Sequence, residues 1–163
     1  MIKKIFCFFQ FLFLSLSASS AALADNNMHL IDRDDLTGFE IYRYSRPEVE
    51  DIFRLCALGV RELMVLSGDA KKYDEKYTHY CPGMKVIYNF KQNERKAISK
   101  QFLDFFDEWV EQARVDGKKI AFRCTCGCHR TGRLAAYYRM KYQHWSTQKA
   151  IAEMNRLGKW MWF

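Results

Sequence analysis

Apolar residues recur along this chain with two different periods, and the switching between them predicts strands alternating with helices. Residues 39–44, FEIYRY, alternate at period two and read as a strand. Ser45 is placed to cap the following helix, with Pro47 near its first turn, Glu48 completing a capping box and Gly59 ending it. Ile52, Phe53, Cys56 and Leu58 give that helix its packing side. The apolar run 60–66 is expected as a central strand, 67–83 as polar turns, and 84–90 as a third strand. The clearest helix covers 97–115, where Ile98, Phe102, Phe105, Trp109 and Ala113 recur at steps of three and four. Ile120-Ala121-Phe122 is a short buried strand, 134–142 a helix, and Ser146 caps a last helix carrying Ile151 and Met154 and closed by Gly158. The alternation predicts an α/β fold, a central sheet with helices on both faces. Anionic ligands in such folds sit at the carboxyl ends of the strands.

One loop stands at such an end. Between the strand at 120–122 and the next helix lies Cys124-Thr125-Cys126-Gly127-Cys128-His129-Arg130-Thr131-Gly132. A cysteine and an arginine so spaced build a phosphate cradle. Successive backbone N–H groups of Thr125, Cys126, Gly127, Cys128, His129 and Arg130 turn around the anion, and the helix N-terminus adds positive potential. The same field favours thiolate at Cys124. Arg130 supplies a planar fork for two phosphate oxygens. Gly127 sits where the chain bends most tightly.

This loop resembles the C-x-x-G-x-x-R-[ST]-G loop of cysteine-dependent protein tyrosine and dual-specificity phosphatases. Its His-Arg-Thr-Gly ending is similar to the atypical branch of plants and fungi that acts on inositol pyrophosphates. The segments IYRYSRPEVEDIFRLCALGVRELMVL and YYRMKYQHWSTQKAIAEMNRLG resemble small bacterial phosphatases of the same superfamily. The resemblance implies the dual-specificity phosphatase fold and a two-step phosphomonoesterase without metal or other cofactor. Cys124 attacks phosphorus, Arg130 holds the equatorial oxygens, and water hydrolyses the thiophosphate; Thr131 assists the departing sulfur. Two residues depart from the family pattern. Arg123 stands where a histidine usually precedes the nucleophile. The loop that usually brings an aspartate as general acid, 90–96, holds only Glu94. Asp32-Arg33-Asp34 superficially matches the D-x-D of aspartate-nucleophile phosphatases. It lacks a preceding strand, and Leu36 fills the place of the required Thr or Val, so its acids read as solvated loop within a polar arm, 25–37.

Composition refines this picture. Residues 1–24 have the form of a signal peptide: Lys3 and Lys4, an apolar stretch too short to span a membrane, and Ala22-Leu23-Ala24 as cleavage site. The expectation is export to a bacterial periplasm or beyond, with no stable anchor after cleavage. The remaining 25–163 is long enough for one domain, and loss of the two lysines takes the net charge from +7 to +5. A positive surplus suits an anionic substrate, and no nucleic-acid partner is expected. Lys91, Arg95 and Lys96 beside Glu94, with His129 and Arg133 at the cradle, favour an inositol polyphosphate over a phosphoprotein. The alternatives are a protein tyrosine or dual-specificity phosphatase, a non-catalytic phosphate-binding module lacking the acid, and a redox or metal protein suggested by the C-x-C-x-C run. Cys56 and Cys81 are candidates to pair after export. The aromatic tail 159–163 is expected to pack on the domain.

Overall fold

The structure, a computed structural model, describes residues 27–158. The expected signal peptide and the aromatic tail lie outside the described residues. The strands are β1 (His29–Asp34), β2 (Phe39–Tyr44), β3 (Val60–Val65), β4 (Lys85–Asn89) and β5 (Lys119–Arg123). The helices are α1 (Val49–Leu58), α2 (Ala70–Tyr73), α3 (Glu75–Thr78), α4 (Lys100–Val115), α5 (His129–Tyr142) and α6 (Thr147–Leu157). One sheet runs in the order β1-β2-β5-β3-β4. The last four strands are parallel and β1 is antiparallel to β2. The strand at 60–66 is interior, as expected, but the middle place belongs to β5, the strand that leads into the loop.

Helices cover both faces, as the alternation implied. Phe39, Ile41, Met64, Ile120 and Phe122 point to one face, against Phe102, Phe106 and Trp109 of α4 and Leu134 and Tyr138 of α5. Tyr42, Tyr44, Leu63 and Ala121 point to the other, against Ile52 and Leu55 of α1. On both faces strand residues two apart share a side, as the pleat requires. Among the described residues no helix is long and apolar enough to cross a membrane.

Several local expectations are corrected. Residues 29–34 are not an arm: β1 completes the sheet edge, and Asp32 accepts from Arg114 Nη2 at 2.5 Å and from Tyr138 Oη at 2.7 Å. The cap of α1 is Glu48 and not Ser45, because Pro47 keeps Arg46 out of helical conformation; Asp51 closes the box by accepting from the Glu48 N–H at 2.8 Å. The inward stripe of α4 reads Phe102, Phe106, Trp109, Ala113, while Phe105 turns outward toward Tyr88. Likewise Leu55 replaces Phe53 in the core, and Ala150 with Glu153 replaces Ile151. The polar stretch 67–83 folds into α2 and α3, and a Cys56–Cys81 disulfide ties its end to α1.

Candidate active site

β2, β5 and β3 end side by side, with Tyr44 opposite Arg123 and Val65 opposite Arg123 in the parallel register. The loop 124–128 leaves from the middle of this edge. Its flanks are pinned by two backbone bonds, Leu66 N–H to the Arg123 carbonyl at 2.8 Å and Arg46 N–H to the Thr125 carbonyl at 2.9 Å. Gly127 has φ +69°, and a Cβ there would lie 2.9 Å from the Tyr44 carbonyl oxygen. The loop therefore rests on the end of β2 at a point where no side chain fits. Helix α5 begins at once at His129, five residues earlier than its apolar pattern indicated. Its positive end abuts the loop.

Cys124 is 1% exposed. Its thiol is held well below the ordinary range, first by the Cys126 thiol donating to its sulfur. Burial opposes this; the Thr131 hydroxyl and amide and the charge of Arg130 add to it. The Thr131 hydroxyl is buried beside the sulfur without reaching full hydrogen-bond geometry. Cys126 is pushed the other way, because it keeps the proton the pair shares. Its own sulfur accepts from the Cys128 amide at 3.2 Å, while the Cys128 thiol donates to the Cys126 carbonyl at 3.1 Å. An anion that uses the Cys128 amide therefore displaces the Cys126 sulfur from it. Among the described residues no group of three His, Cys, Asp or Glu side chains is arranged to hold a metal ion.

Arg130 lies across the loop mouth. Its Nη1 donates to the Leu66 carbonyl at 3.0 Å, and its Nε stands 3.9 Å from Glu94 Oε2. Glu94 thus reaches the site, but its carboxyl is held below the usual carboxylate range. A backbone N–H is the main cause, followed by Arg130, Lys91 and Arg95, against a small desolvation. That favours the anion, whereas a general acid must arrive protonated. Lys91, Arg95 and Lys96 are exposed along the same loop. Arg133 is placed differently from its expected substrate-binding role. Its Nη1 donates to the carbonyls of Asn93 at 3.3 Å and Glu94 at 3.0 Å, and its Nη2 to that of Lys96 at 2.6 Å. It fastens the Glu94 loop to α5.

Two arginines beneath the loop complete the site. Arg123 points to the α1 face and is fully buried. It donates twice to Asp74, whose carboxylate also accepts from the Tyr44 hydroxyl at 3.0 Å. Its Nη1 reaches Ser67 Oγ and Asp69 Oδ1, each at 3.0 Å. Arg43 points to the opposite face, where its Nη2 donates to the Gly127 carbonyl at 2.5 Å. The sequence held a signal for Arg43: it shares the inward parity of Phe39 and Ile41 in an alternating strand. The partners of Arg123, Asp69 and Asp74, lie in a stretch whose composition shows only turns.

Residues 60–161 match the model of the dual specificity phosphatase catalytic domain. The chain belongs to that family. Its central sheet with helices on both faces is the architecture of the phosphatase structures on which it superposes. A phosphatase homolog from Caenorhabditis elegans, described as interacting with RNA/RNP complex 1, is 35% identical over 72 residues; the match covers 44% of this chain and 28% of that relative. The catalytic core of the PP-IP phosphatase SIW14 from S. cerevisiae superposes with a TM-score of 0.65 at 24% identity, over 83% of this chain and 78% of that one. TpbA from P. aeruginosa, solved with pTyr, superposes with a TM-score of 0.59 at 23% identity, over 71% and 67%. At such identities these structures speak for the fold.

Proposed function

We propose that this chain is an exported phosphomonoesterase in which Cys124 attacks phosphorus, forming a thiophosphate that water then hydrolyses. The observation that carries this reading is the buried Cys124 thiol, favoured as thiolate and set between Arg130 and the start of α5. Arg130 and the loop amides stabilise charge on the equatorial oxygens. The Thr131 hydroxyl, beside the sulfur, stabilises it as it leaves.

The substrate is an inositol polyphosphate. Lys91, Arg95 and Lys96 are exposed along the loop whose Glu94 stands 3.9 Å from Arg130, so a ring with several phosphates meets cations beyond the cradle. A lone phosphotyrosine gains little from them. With Glu94 anionic, leaving groups of low pKa are expected to turn over fastest, since they need least protonation. The structural neighbour SIW14 is a PP-IP phosphatase, which supports a polyphosphorylated ring as substrate. Surface cations act within roughly 8 Å at physiological ionic strength. KM for an inositol polyphosphate is therefore expected to rise with salt, and more steeply than KM for an aryl monophosphate. Cys124→Ser is expected to abolish turnover of both. Higher kcat/KM on phosphotyrosine peptides, with no such salt difference, would turn the assignment to a protein tyrosine phosphatase.

Export is supported by the Cys56–Cys81 bridge, since such bonds persist outside the reducing cytosol. N-terminal sequencing of the protein recovered from the periplasm or medium is expected to begin at Asp25; a start at Met1 would reject cleavage at residue 24.

A further inference from the structure

Arg43 is a charged side chain in the interior with no carboxylate bonded to it among the described residues. It is 1% exposed, and its Nε and Nη1 meet no acceptor among the described residues. The carboxylate nearest in effect is Glu153 of α6, but it is paired with Arg139, whose Nε donates to one oxygen at 2.9 Å and Nη2 to the other at 2.6 Å. Arg43, Arg139 and Glu153 together therefore carry one surplus positive charge under the loop. Isolated buried cations are costly, and burial does push Arg43 below its ordinary value. Two further groups in its field are Cys124 and Cys128. Among the described residues its one hydrogen bond goes to the Gly127 carbonyl, at the tightest bend of the cradle.

We infer that Arg43 is a positioning residue for catalysis: its charge is the buried counterpart of the Cys124 thiolate, and its bond to Gly127 fixes the loop that receives the phosphoryl group. The two parts follow from two different atoms of the guanidinium. The bond from Nη2 draws the Gly127 carbonyl away from the anion's side of the loop, so that negative oxygen does not face negative oxygen. The charge needs no contact with the sulfur, because a low-dielectric interior transmits it. Besides Cys124, the groups facing the Arg43 charge are Cys128 on the loop and Glu153 and Arg139 behind, while the thiolate itself is faced by Cys126, Thr131 and Arg130. None of them is an unpaired cation on the underside of the loop. A phosphate dianion entering above increases the demand for positive charge below. This inference rests on Cys124 as nucleophile.

The test separates charge from bond on the full mature chain. Arg43→Met keeps length and removes both; Arg43→Lys keeps charge and loses the planar donor to Gly127. Alkylation of Cys124 by iodoacetamide against pH, followed by mass spectrometry, reports the thiolate. Titration with inorganic phosphate reports the cradle. In Arg43→Met the alkylation midpoint is expected to rise by about one unit, a tenfold slower reaction below it, with phosphate affinity reduced at least as much. Its Tm is expected to hold or rise, the opposite of what a structural ion loss gives. Arg43→Lys is expected to keep the alkylation midpoint and still weaken phosphate binding. If Arg43→Met does not fold, Arg43→Gln, uncharged but able to donate, is expected to raise the midpoint. An unchanged midpoint in a folded uncharged variant overturns the charge role; unchanged phosphate affinity in Arg43→Lys overturns the bond. Because alkylation reads Cys124 without turnover, these results stand apart from loss of activity in Cys124→Ser. A Cys124 that titrates low yet is dispensable for turnover would reject the nucleophile assignment and leave the Arg43 measurement intact.

Discussion

Arg43 and Arg123 sit on neighbouring strands, one residue apart in register, and both are buried to within 1%. They nevertheless do different things. Arg123 faces the α1 layer and meets acceptors on all sides: two bonds to Asp74, one each to Ser67 and Asp69. Its guanidinium is driven further into the charged state, chiefly by the Asp74 bonds acting against burial. Arg43 faces the α5 layer and, among the described residues, has one bond and two bare nitrogens. The first is a closed structural joint, holding the loop 67–74 against the end of β5. The second is left open toward the reaction. Satisfaction of hydrogen bonds, more than depth of burial, tells a structural buried charge from one kept for chemistry.

That contrast is open to attack by mutation. The largest effect is expected for Arg123→Met, which strands the Asp74 carboxylate in the interior. It should cost about 3–5 kcal/mol of stability in urea denaturation, whereas Arg43→Met stays within about 1 kcal/mol of wild type. Equal losses would erase the distinction between the two sites. A smaller effect distinguishes them through pH. The Cys124 thiol is depressed in the folded state, so between its folded value and the ordinary one near 9 the unfolded chain binds more protons. Stability contributed by the thiolate is full above the unfolded value and is lost as pH falls through the folded one. Wild-type stability should thus rise with pH across the neutral range, by at most about 1.4 kcal/mol per unit. Cys124→Ser should flatten that rise, and Arg43→Met should narrow its window. A Cys124→Ser curve parallel to wild type would show that the thiol titrates normally.

Much of this was written in the sequence where periodicity and motif agree. The alternation of strands and helices, the loop 124–132 and its place at a strand end could all be read directly. Misreadings arose where local signals were ambiguous by one step. Phe105 and Phe106 both fit a helical stripe, and only packing on Phe122 selects Phe106. Ser45 and Glu48 both fit a cap, and Pro47 decides. Arg133 reads as a basic residue near a pocket, yet its three carbonyl partners depend on a loop fold that composition does not encode. The role of Asp74 was hidden for the same reason: a polar stretch looks solvated until tertiary structure brings it over a buried cation.

The parallel register of β2 and β5 also bears on how the chain avoids misfolding. Pairing Tyr44 with Arg123 sends the two arginines to opposite faces. A slip of β5 by one residue would turn Arg123 into the aromatic layer around Phe106 and lift Phe122 onto Asp74. The slipped sheet would hold an unpaired cation among rings and an unpaired carboxylate beneath a ring, each costing several kcal/mol. Apolar strands alone would tolerate such an error more easily, since one branched aliphatic residue replaces another at little loss. The buried charges thus act as a proofreading device for strand alignment, and the correct alignment is the one that delivers Cys124 to its loop.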